Sequence, residues 1–475
     1  MKSRPTPRLH SRPMRDRLPL VLFVFAVALL GAILGALATD RQWLPYRMAA
    51  DGIKTAQEAR KQLRKKDHGK FLEFTDVGAA DAPQHRLRTL GDGAPAEPVL
   101  FYGGRFQFAD LCGAEGCLAV EFGSDSQPLH AYPYRPEEIF RANIADQFPY
   151  ETNLFSFARD AYPLSVQRFD DGDLLVVFQN EGTFPYAGGV GRVDAEGHPR
   201  WFRWDYSHHW ATRVSDDRLL VPGLEIGNGT IRLMVGDYRV KLCEDGKPLL
   251  DAINVLDGNG RLTSQIRLLD RLLESPYRAV LQQTSDPCDP THLNYIDTLD
   301  ESAAGVPGLA PGDLVASLRN LSAFVILDPD DGTIKRLVNG TFFQQHSVRH
   351  LGSSRFLMFD NHGADPRHGP SRLLLVDVAT GQETTVFPND ATPPELRRLF
   401  SETAGKIDLS PDKQRAIVAF TWAGTAVEVR LEDGAVLRVF KALGDVSQVA
   451  DLDPVERSKR AGLFKLYGVD YLVAP

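Results

Sequence analysis

Apolar and polar positions alternate in a repeated way from about residue 70 onward. Short runs of Val, Leu, Ile and Phe are separated by turns rich in Gly, Asp and Asn, a pattern typical of many short β-strands. Two apolar strands joined by an acidic, Gly-containing turn recur at 193–202, 255–266, 326–337, 376–387 and 430–440. The steps between these units run from about 50 to 70 residues, which predicts the blades of a β-propeller with insertions.

A second unit is a polar turn that leads into an apolar strand. It recurs at 170–178, 216–223, 352–361 and 411–420. An array of β-sandwiches would also contain short strands, but it would not need the same paired turn in each unit. The Asp-rich turns could be calcium loops, although Asp, Asn and Gly more often cap hairpins.

The N-terminus has a different pattern, an uncharged apolar run from Leu18 to Ala38. As a helix this run would span about 31 Å, close to the thickness of a bilayer core. Six cationic residues precede it, and the positive-inside rule keeps them cytoplasmic and places the rest of the chain outside the cytoplasm. A cleaved signal peptide ending near Ala38 is the alternative. We expect a basic cytoplasmic tail at 1–17, a transmembrane anchor at 18–39, a juxtamembrane helical linker at 40–69 and the propeller at 70–475.

Composition narrows the class of protein. Hydrophobic residues make up 43% of the chain and charged residues 24%, which disfavours long disorder and a polytopic membrane protein. The net charge is −8, so nucleic acid is not expected as a partner.

The four cysteines fit an oxidising compartment. Cys112 and Cys117 flank a Gly-containing loop, and a hairpin there would bring them within disulfide reach. Cys243 and Cys288 form a possible second pair. An even number favours bridges over metal ligation or redox chemistry.

Histidine is unevenly distributed. His208 and His209 are adjacent, His292 lies in the stretch DPTHLNYID, and His346 belongs to a group of four histidines within 23 residues. Each group lies next to a strand of the predicted propeller. Because equivalent positions of successive blades converge on the central channel, these histidines could meet there.

Several short motifs in the same region resemble those of the bacterial PAPS-independent arylsulfotransferase family, and they follow its order over roughly residues 165–390. They are a Gly-containing turn with Trp201 before the pair His208-His209, HxN at 292–294, SxR at 317–319, a hairpin related to IDxxxGxI at 326–334, QH at 345–346 and FDN at 359–361.

The resemblance implies an all-β, six-bladed periplasmic propeller with its active site in the channel. Together with the N-terminal apolar run, it leads us to expect one span in the inner membrane and the propeller on the periplasmic side. Family members transfer a sulfuryl group from a phenolic sulfate to a phenol through a sulfo-histidine, without PAPS or another cofactor. By this resemblance His346 is the nucleophile and Arg319 and His292 are further catalytic residues. His208, His209 and Asn294 would bind the substrate, and no metal site is expected.

Sulfuryl transfer requires groups of these kinds, independently of the resemblance. A sulfate monoester spreads negative charge over three oxygens, and the planar guanidinium of Arg319 matches two of them. A neutral imidazole attacks sulfur, and a second histidine moves the phenolic proton.

Three departures from the family pattern keep other functions open. Lys335 and Arg336 stand where an aromatic Trp is common, and Trp210 and Ser347 stand where an Asp often follows HH and QH. A non-catalytic ligand-binding or scaffold propeller is one alternative. A metal-dependent histidine lyase or hydrolase is another, although Arg319 in the same pocket would repel a cation.

Overall fold

The computed structural model describes residues 26–27, 29–30, 71–75, 81, 84, 86–90 and 97–472, the last range with gaps at 104–106, 114, 146–160, 181–187, 245, 363–365 and 446–460. The compact unit Asp67–Pro475 contains all of the strands among the described residues. The predicted tail and linker, and most of the predicted anchor, lie outside the described residues. Ala26, Val27, Leu29 and Leu30 of the anchor are helical. No helix among the described residues is long and apolar enough to span a bilayer.

Six antiparallel sheets form the blades of a propeller, as predicted. Two strands precede them, β1 (Phe71–Thr75) and β2 (Leu87–Thr89). Blade 1 contains β3 (Val99–Gly103), β4 (Cys117–Phe122) and β5 (Pro128–Pro133). Blade 2 contains β6 (Ala161–Arg168), β7 (Leu174–Asn180), β8 (Gly188–Val193) and β9 (Pro199–Arg203). Blade 3 contains β10 (Thr212–Ser215), β11 (Arg218–Ile226), β14 (Leu249–Leu256) and β15 (Leu262–Arg267), with an inserted hairpin of β12 (Ile231–Val235) and β13 (Tyr238–Leu242).

The second half of the ring repeats this plan. Blade 4 contains β16 (Leu293–Thr298), β17 (Leu314–Leu318), β18 (Ala323–Leu327) and β19 (Ile334–Asn339). Blade 5 contains β20 (His346–Gly352), β21 (Arg355–Asp360), β22 (Arg372–Asp377) and β23 (Gln382–Phe387). Blade 6 contains β24 (Lys406–Leu409), β25 (Arg415–Phe420), β26 (Thr425–Arg430) and β27 (Val436–Lys441), with β2 as a fifth, outer strand. The remaining strands are β28 (Leu443–Gly444), β29 (Ala461–Phe464) and β30 (Leu466–Tyr471).

The C-terminal strand closes the ring. β30 pairs antiparallel with β3 of blade 1, with Val99 opposite Tyr471 and Leu100 opposite Asp470. Strand β1 joins β29 and β28 in a small separate sheet. Blade 1 therefore combines residues from both ends of the propeller sequence.

Short helices fill the connections. The α-helices are α1 (Ala109–Cys112), α2 (Pro136–Arg141) and α3 (Leu268–Glu274). Single 3₁₀ turns span Arg278–Gln283, Glu301–Ala303, Arg319–Leu321, Pro366–His368, Pro394–Leu396 and Thr421–Ala423.

Each pair of neighbouring blades encloses its own cluster of buried apolar side chains. Central strands are covered on both faces, so they appear in the sequence as continuous apolar runs such as 174–178. The recurring acidic turns are the outer hairpins of blades 2 to 6, as in β8–β9, where Asp194 Oδ1 accepts the backbone N–H groups of Glu196 and His198. These carboxylates therefore cap turns.

Both predicted disulfides are present. Cys112 and Cys117 are bridged with their Cα atoms 5.4 Å apart, and Cys243 and Cys288 with theirs 4.4 Å apart. The predicted hairpin around the first bridge is wrong, because Cys112 ends helix α1 and only Cys117 begins a strand. The second bridge joins the loop after β13 to the segment that precedes β16.

A buried polar network joins blades 4, 5, 6 and 1. The guanidinium of Arg349 donates to Asp297 Oδ2 at 2.9 Å and to Asp408 Oδ1 at 3.2 Å. Lys406 forms an ion pair with Asp470 of the closing strand. The network therefore links the inner strands β16, β20, β24 and β30.

Candidate functional site

The predicted site residues of blades 3, 4 and 5 lie at the starts of the innermost strands. His208 and His209 precede β10, His292 comes directly before β16, and His346 is the first residue of β20. A parallel bridge between Trp210 and Tyr295 joins the first two of these segments. Because the inner strands of a propeller run in the same direction, their starts meet at one end of the channel.

Three imidazoles form a cluster at this end. The ring of His209 lies 5.2 Å from the ring of His292 and 6.3 Å from that of His346, measured between centroids. The ring of His208 lies behind His209, at 4.9 Å. The structure thus places His209, rather than His208, beside the other two histidines.

The backbone at the cluster adopts a conformation that side chains other than glycine seldom adopt. His209, His292, Gln344 and Ser347 have φ values of 53°, 50°, 56° and 49°. Each such residue costs about 1–3 kcal/mol and persists only where its surroundings impose it, most often at functional sites. This concentration of strain supports a functional role for this end of the channel.

His346 has a defined proton arrangement. Its Nδ1 lies 2.7 Å from Asn361 Oδ1, and Asn361 Nδ2 donates to the carbonyl oxygens of Ser401 at 2.9 Å and Ala404 at 2.7 Å. Those two bonds orient the amide so that its oxygen faces His346. Nδ1 therefore carries the proton, and Nε2 is the basic nitrogen.

The pKa of His346 lies well below its ordinary value, because burial and the positive charge of Arg319 both disfavour the imidazolium. The ring is therefore neutral near pH 7. Trp210, which is fully buried, packs its ring edge-on against His346 with centroids 6.2 Å apart. A neutral, positioned imidazole with a basic Nε2 is suited to nucleophilic attack.

His292 has a carboxylate partner. Its Nδ1 lies 2.5 Å from Asp289 Oδ2, and both side chains are largely buried. The backbone oxygen of Asp289 accepts from Asn320 Nδ2 at 2.6 Å, which fixes the loop. The carboxylate holds the proton on Nδ1 and stabilises an imidazolium when Nε2 gains a second proton.

Arg319 follows β17 and begins a 3₁₀ turn. Its backbone N–H donates to the carbonyl of His292 at 3.1 Å. Its guanidinium donates to Asn320 Oδ1 at 2.8 Å and to Gln344 Oε1 at 3.2 Å. Both acceptors are neutral, and the charge of Arg319 lowers the pKa of His346 and of His209. The site therefore contains a cation suited to an anionic group.

Asn294 contacts the residue that precedes His346. It is fully buried, and its Nδ2 donates to the carbonyl of Gln345 at 2.7 Å. This bond ties β16 to the residue before His346. Direct contact of Asn294 with substrate stays a prediction.

Carboxylates also hold the neighbouring segments. Asp251 of β14 accepts at Oδ2 from Thr291 Oγ1 at 2.5 Å and from the backbone N–H of Leu293 at 2.9 Å. Among the described residues, no group of three or more His, Cys, Asp and Glu side chains is arranged to hold a metal ion.

Residues 262–440 match the model of the arylsulfotransferase (ASST) family. This part of the chain is similar to the arylsulfotransferase family. It runs from β15 of blade 3 to β27 of blade 6 and includes His292, Arg319 and His346. It is less than half of the 475-residue chain and does not include His208 or His209. A search of curated proteins found no significant match.

Solved structures show only a loose similarity. A protein of unknown function from Bacteroides caccae aligns with a TM-score of 0.41 and 10% identity, covering 79% of this chain and 98% of that one. The nidogen/laminin complex gives 0.40 and 10%, with 79% and 98% covered. Virginiamycin B lyase from Staphylococcus aureus gives 0.31 and 12%, with 59% and 70% covered. All three TM-scores are below 0.5, so these similarities carry no argument about function.

Two of the three departures from the arylsulfotransferase pattern have structural explanations. Ser347 accepts the backbone N–H of Ile407 at 2.9 Å and so joins blade 5 to blade 6. Trp210 packs on His346. Asp289, Asp251 and Asn361, which contact His292, His208 and His346 respectively, were not predicted as site residues. Asn361 stood in the FDN motif and Asp289 lies three residues before His292, whereas Asp251 had no local signal.

Proposed function

We propose that the protein is an aryl-sulfate sulfotransferase that moves a sulfuryl group between phenols through a sulfo-histidine at His346. The single observation that carries this proposal is the state of His346. It is a neutral imidazole whose Nδ1–H is fixed by Asn361. Nε2 then carries the electron pair that a nucleophile needs, and the charge of Arg319 acts on the same ring. The match of residues 262–440 to the family model supports the same conclusion.

In the first half-reaction Nε2 of His346 attacks the sulfur of a phenolic sulfate. The Nε2–S bond forms as the bond between sulfur and the phenolic oxygen breaks, and the bonding pair leaves with the phenolate. The Nδ1–H···O bond to Asn361 strengthens as the ring becomes positive.

Protonated His292 gives its Nε2 proton to the departing phenolate, with Asp289 holding the ring in place. In the second half-reaction neutral His292 takes the proton of an acceptor phenol. The new phenolate attacks the sulfo-histidine, which returns His346 to its neutral form. His292 thus loses a proton to the first phenol and regains one from the second.

Charge on the transferred group is met by the cationic side of the site. Arg319 provides a planar pair of N–H donors for two sulfuryl oxygens. His209 is held neutral, because burial foremost, and then the neighbouring histidines and Arg319, lower its pKa well below the ordinary value. His209 therefore acts as a neutral hydrogen-bonding group and not as a second charge.

The experiment incubates the purified propeller with 4-nitrophenyl sulfate and phenol, with and without a chelator. We expect transfer that is insensitive to the chelator. Quenching with donor alone should leave one SO₃ group on the peptide that carries His346, as seen by mass spectrometry. Chelator-sensitive turnover would support a metal enzyme, and absence of turnover would support a binding propeller.

We also propose that residues 18–39 anchor the chain in the inner membrane, with the propeller in the periplasm. The cationic residues before the apolar run and the two disulfides support this placement. A phosphatase reporter that works only outside the cytoplasm, fused after Pro475, should be active. Activity only of a cytoplasmic reporter at the same position would contradict the proposal.

A further inference from the structure

Three buried side chains form a chain that leads away from the cluster. Asp251 Oδ1 lies 3.4 Å from His208 Nε2, an ion-pairing distance that is longer than an ordinary hydrogen bond. His208 Nδ1 lies 2.6 Å from His209 Nδ1. The exposed fractions are 2% for Asp251, 1% for His208 and 7% for His209. The ring of His209 stands next to those of His292 and His346, with centroids 5.2 Å and 6.3 Å away.

The carboxylate at the end of the chain is fixed from the other side. Thr291 and Leu293, on either side of His292, both donate to Asp251 Oδ2. Oδ1 is therefore directed to His208. The backbone N–H of His208 donates to the carbonyl of Pro222 at 3.0 Å, which holds this residue against strand β11.

The short contact between the two Nδ1 atoms restricts where protons can lie, because one proton must lie between them. If His208 is neutral and its Nε2–H faces Asp251, that proton belongs to His209. The Nε2 of His209 is then an acceptor, which opposes a sulfate oxygen. If His208 gains a second proton, it donates from both nitrogens, and His209 becomes the tautomer with a donor Nε2–H.

We propose that Asp251, acting through His208, is the positioning residue that sets the tautomer of His209, and that binding of a sulfate group at His209 is coupled to uptake of one proton by His208. The nature of the anion rests on the proposed function. The tautomer of His209 does not.

Charges around the pair explain why the extra proton goes to the distant ring. His209 faces Arg319, His292 and His346, and these groups add to the burial that lowers its pKa. His208 faces a carboxylate instead. The proton is therefore held one ring away from the reacting sulfur, where it supplies a hydrogen-bond donor without placing a second acid beside the nucleophile.

The first test needs neither substrate nor turnover. NMR of the full chain labelled with ¹⁵N-histidine, without ligand, should show Nε2–H at His208 and Nδ1–H at His209, assigned with a His208→Gln variant. In Asp251→Asn the amide oxygen must accept from Thr291 and Leu293, so its NH₂ faces His208. Both tautomers should then invert, to Nδ1–H at His208 and Nε2–H at His209.

Asp270→Asn, an exposed position on helix α3, is the matched control and should leave both tautomers unchanged. Nε2–H at His209 in the ligand-free wild-type protein would overturn the proposal even if Asp251→Asn failed to fold. Unchanged tautomers in a folded Asp251→Asn variant would overturn it as well.

The second test measures the coupling. Calorimetric titration with inorganic sulfate, in two buffers with different heats of ionisation, gives the protons taken up on binding. Wild-type protein should take up about one proton more than Asp251→Asn. Equal uptake, or no sulfate binding by wild type, would overturn the coupling. If the wild-type protein transferred no sulfuryl group but Asp251→Asn still inverted the two tautomers, the result would count against the proposed function alone.

Discussion

Burial shifts the pKa of side chains in opposite directions on two sides of the same channel. On the side of blades 3, 4 and 5, His209 and His346 are buried beside Arg319, and burial lowers their pKa and keeps them neutral. On the side of blades 6 and 1, burial raises the pKa of Asp470 to about 6, although Lys406 opposes the shift. The first side contains neutral bases near a cation, and the second contains carboxylates paired with cations.

The difference shows how one propeller can keep neutral imidazoles in one place and ion-paired carboxylates in another. Burial disfavours charge on either type of group. On the imidazole side this leaves neutral rings, each with a nitrogen electron pair, at neutral pH. On the carboxylate side Lys406 pairs with Asp470, and Arg349 pairs with Asp408. The network extends to blades 4 and 5, because Arg349 lies on β20 and also pairs with Asp297 of β16, but these ion pairs do not include His346. We expect changes on the first side to affect turnover and changes on the second to affect stability.

The largest effect is expected from His346→Asn. Because the two-step route depends on the nucleophile, transfer from 4-nitrophenyl sulfate to phenol should fall by several orders of magnitude. The melting temperature should change little. The matched control is His198→Asn, at an exposed position in the outer hairpin of blade 2. Near-normal transfer by His346→Asn would remove the proposed distinction between the two sides.

A smaller loss is expected from Asp289→Asn. The amide no longer stabilises the imidazolium of His292, so turnover of phenyl sulfate should fall by about 100- to 10,000-fold. The loss should be smaller for 4-nitrophenyl sulfate, whose phenolate leaves without needing a proton. Equal losses for the two donors would show that His292 is not the proton donor to the leaving group.

Arg319→Lys keeps the charge but loses the planar fork. We expect kcat/KM to fall by an amount equivalent to about 2–4 kcal/mol of transition-state stabilisation. Arg267→Lys, which changes a surface pair with Glu225, serves as the control. A variant as active as wild type would mean that charge alone, without bidentate geometry, holds the sulfuryl group.

The smallest effect concerns stability and pH. The folded pKa of Asp470 is about 6 and its reference value is 3.8, so the folded state binds this proton more tightly than the unfolded chain does. Its contribution is therefore present at low pH and is lost as pH rises through about 6. The free energy of unfolding should fall by at most about 3 kcal/mol between pH 4.5 and 7.5.

Denaturant titrations at several pH values test this, with Asp470→Asn as the comparison. The groups that act on Asp470 are Lys406, Asp408, Arg349 and Tyr102. The variant should show a flatter dependence on pH over the same range. An identical dependence in the two proteins would assign the titration to another group.

Much of the fold could be predicted because its repeating unit is local. The turns at 193–202 and 430–440 are outer hairpins, and their Asp side chains cap backbone groups a few residues away. Blade 1 gave no such signal. Its inner strand β30 is far along the chain from β3, and no sequence pattern on either strand identifies its partner.

The candidate site, like the fold, could be predicted where its residues lie in local motifs. His292, Arg319 and His346 stood in motifs, and the structure brings them together at one end of the channel. The choice between His208 and His209 was not predictable, because it depends on a left-handed backbone at His209. Asp251 could not be predicted either. It lies on the third strand of blade 3 and reaches His208 only through the pairing of β11 with β14.

The closing strand has a consequence for the order of events during synthesis. His209, His292, Arg319 and His346 leave the ribosome before β30, which completes blade 1 by pairing with one of the earliest strands of the ring. Until then the ring is open and the faces of blades 1 and 6 are uncovered. Ring closure joins residues several hundred positions apart, and contacts of such long range form slowly. The residues of the site are therefore synthesised well before ring closure can bring them into their final arrangement.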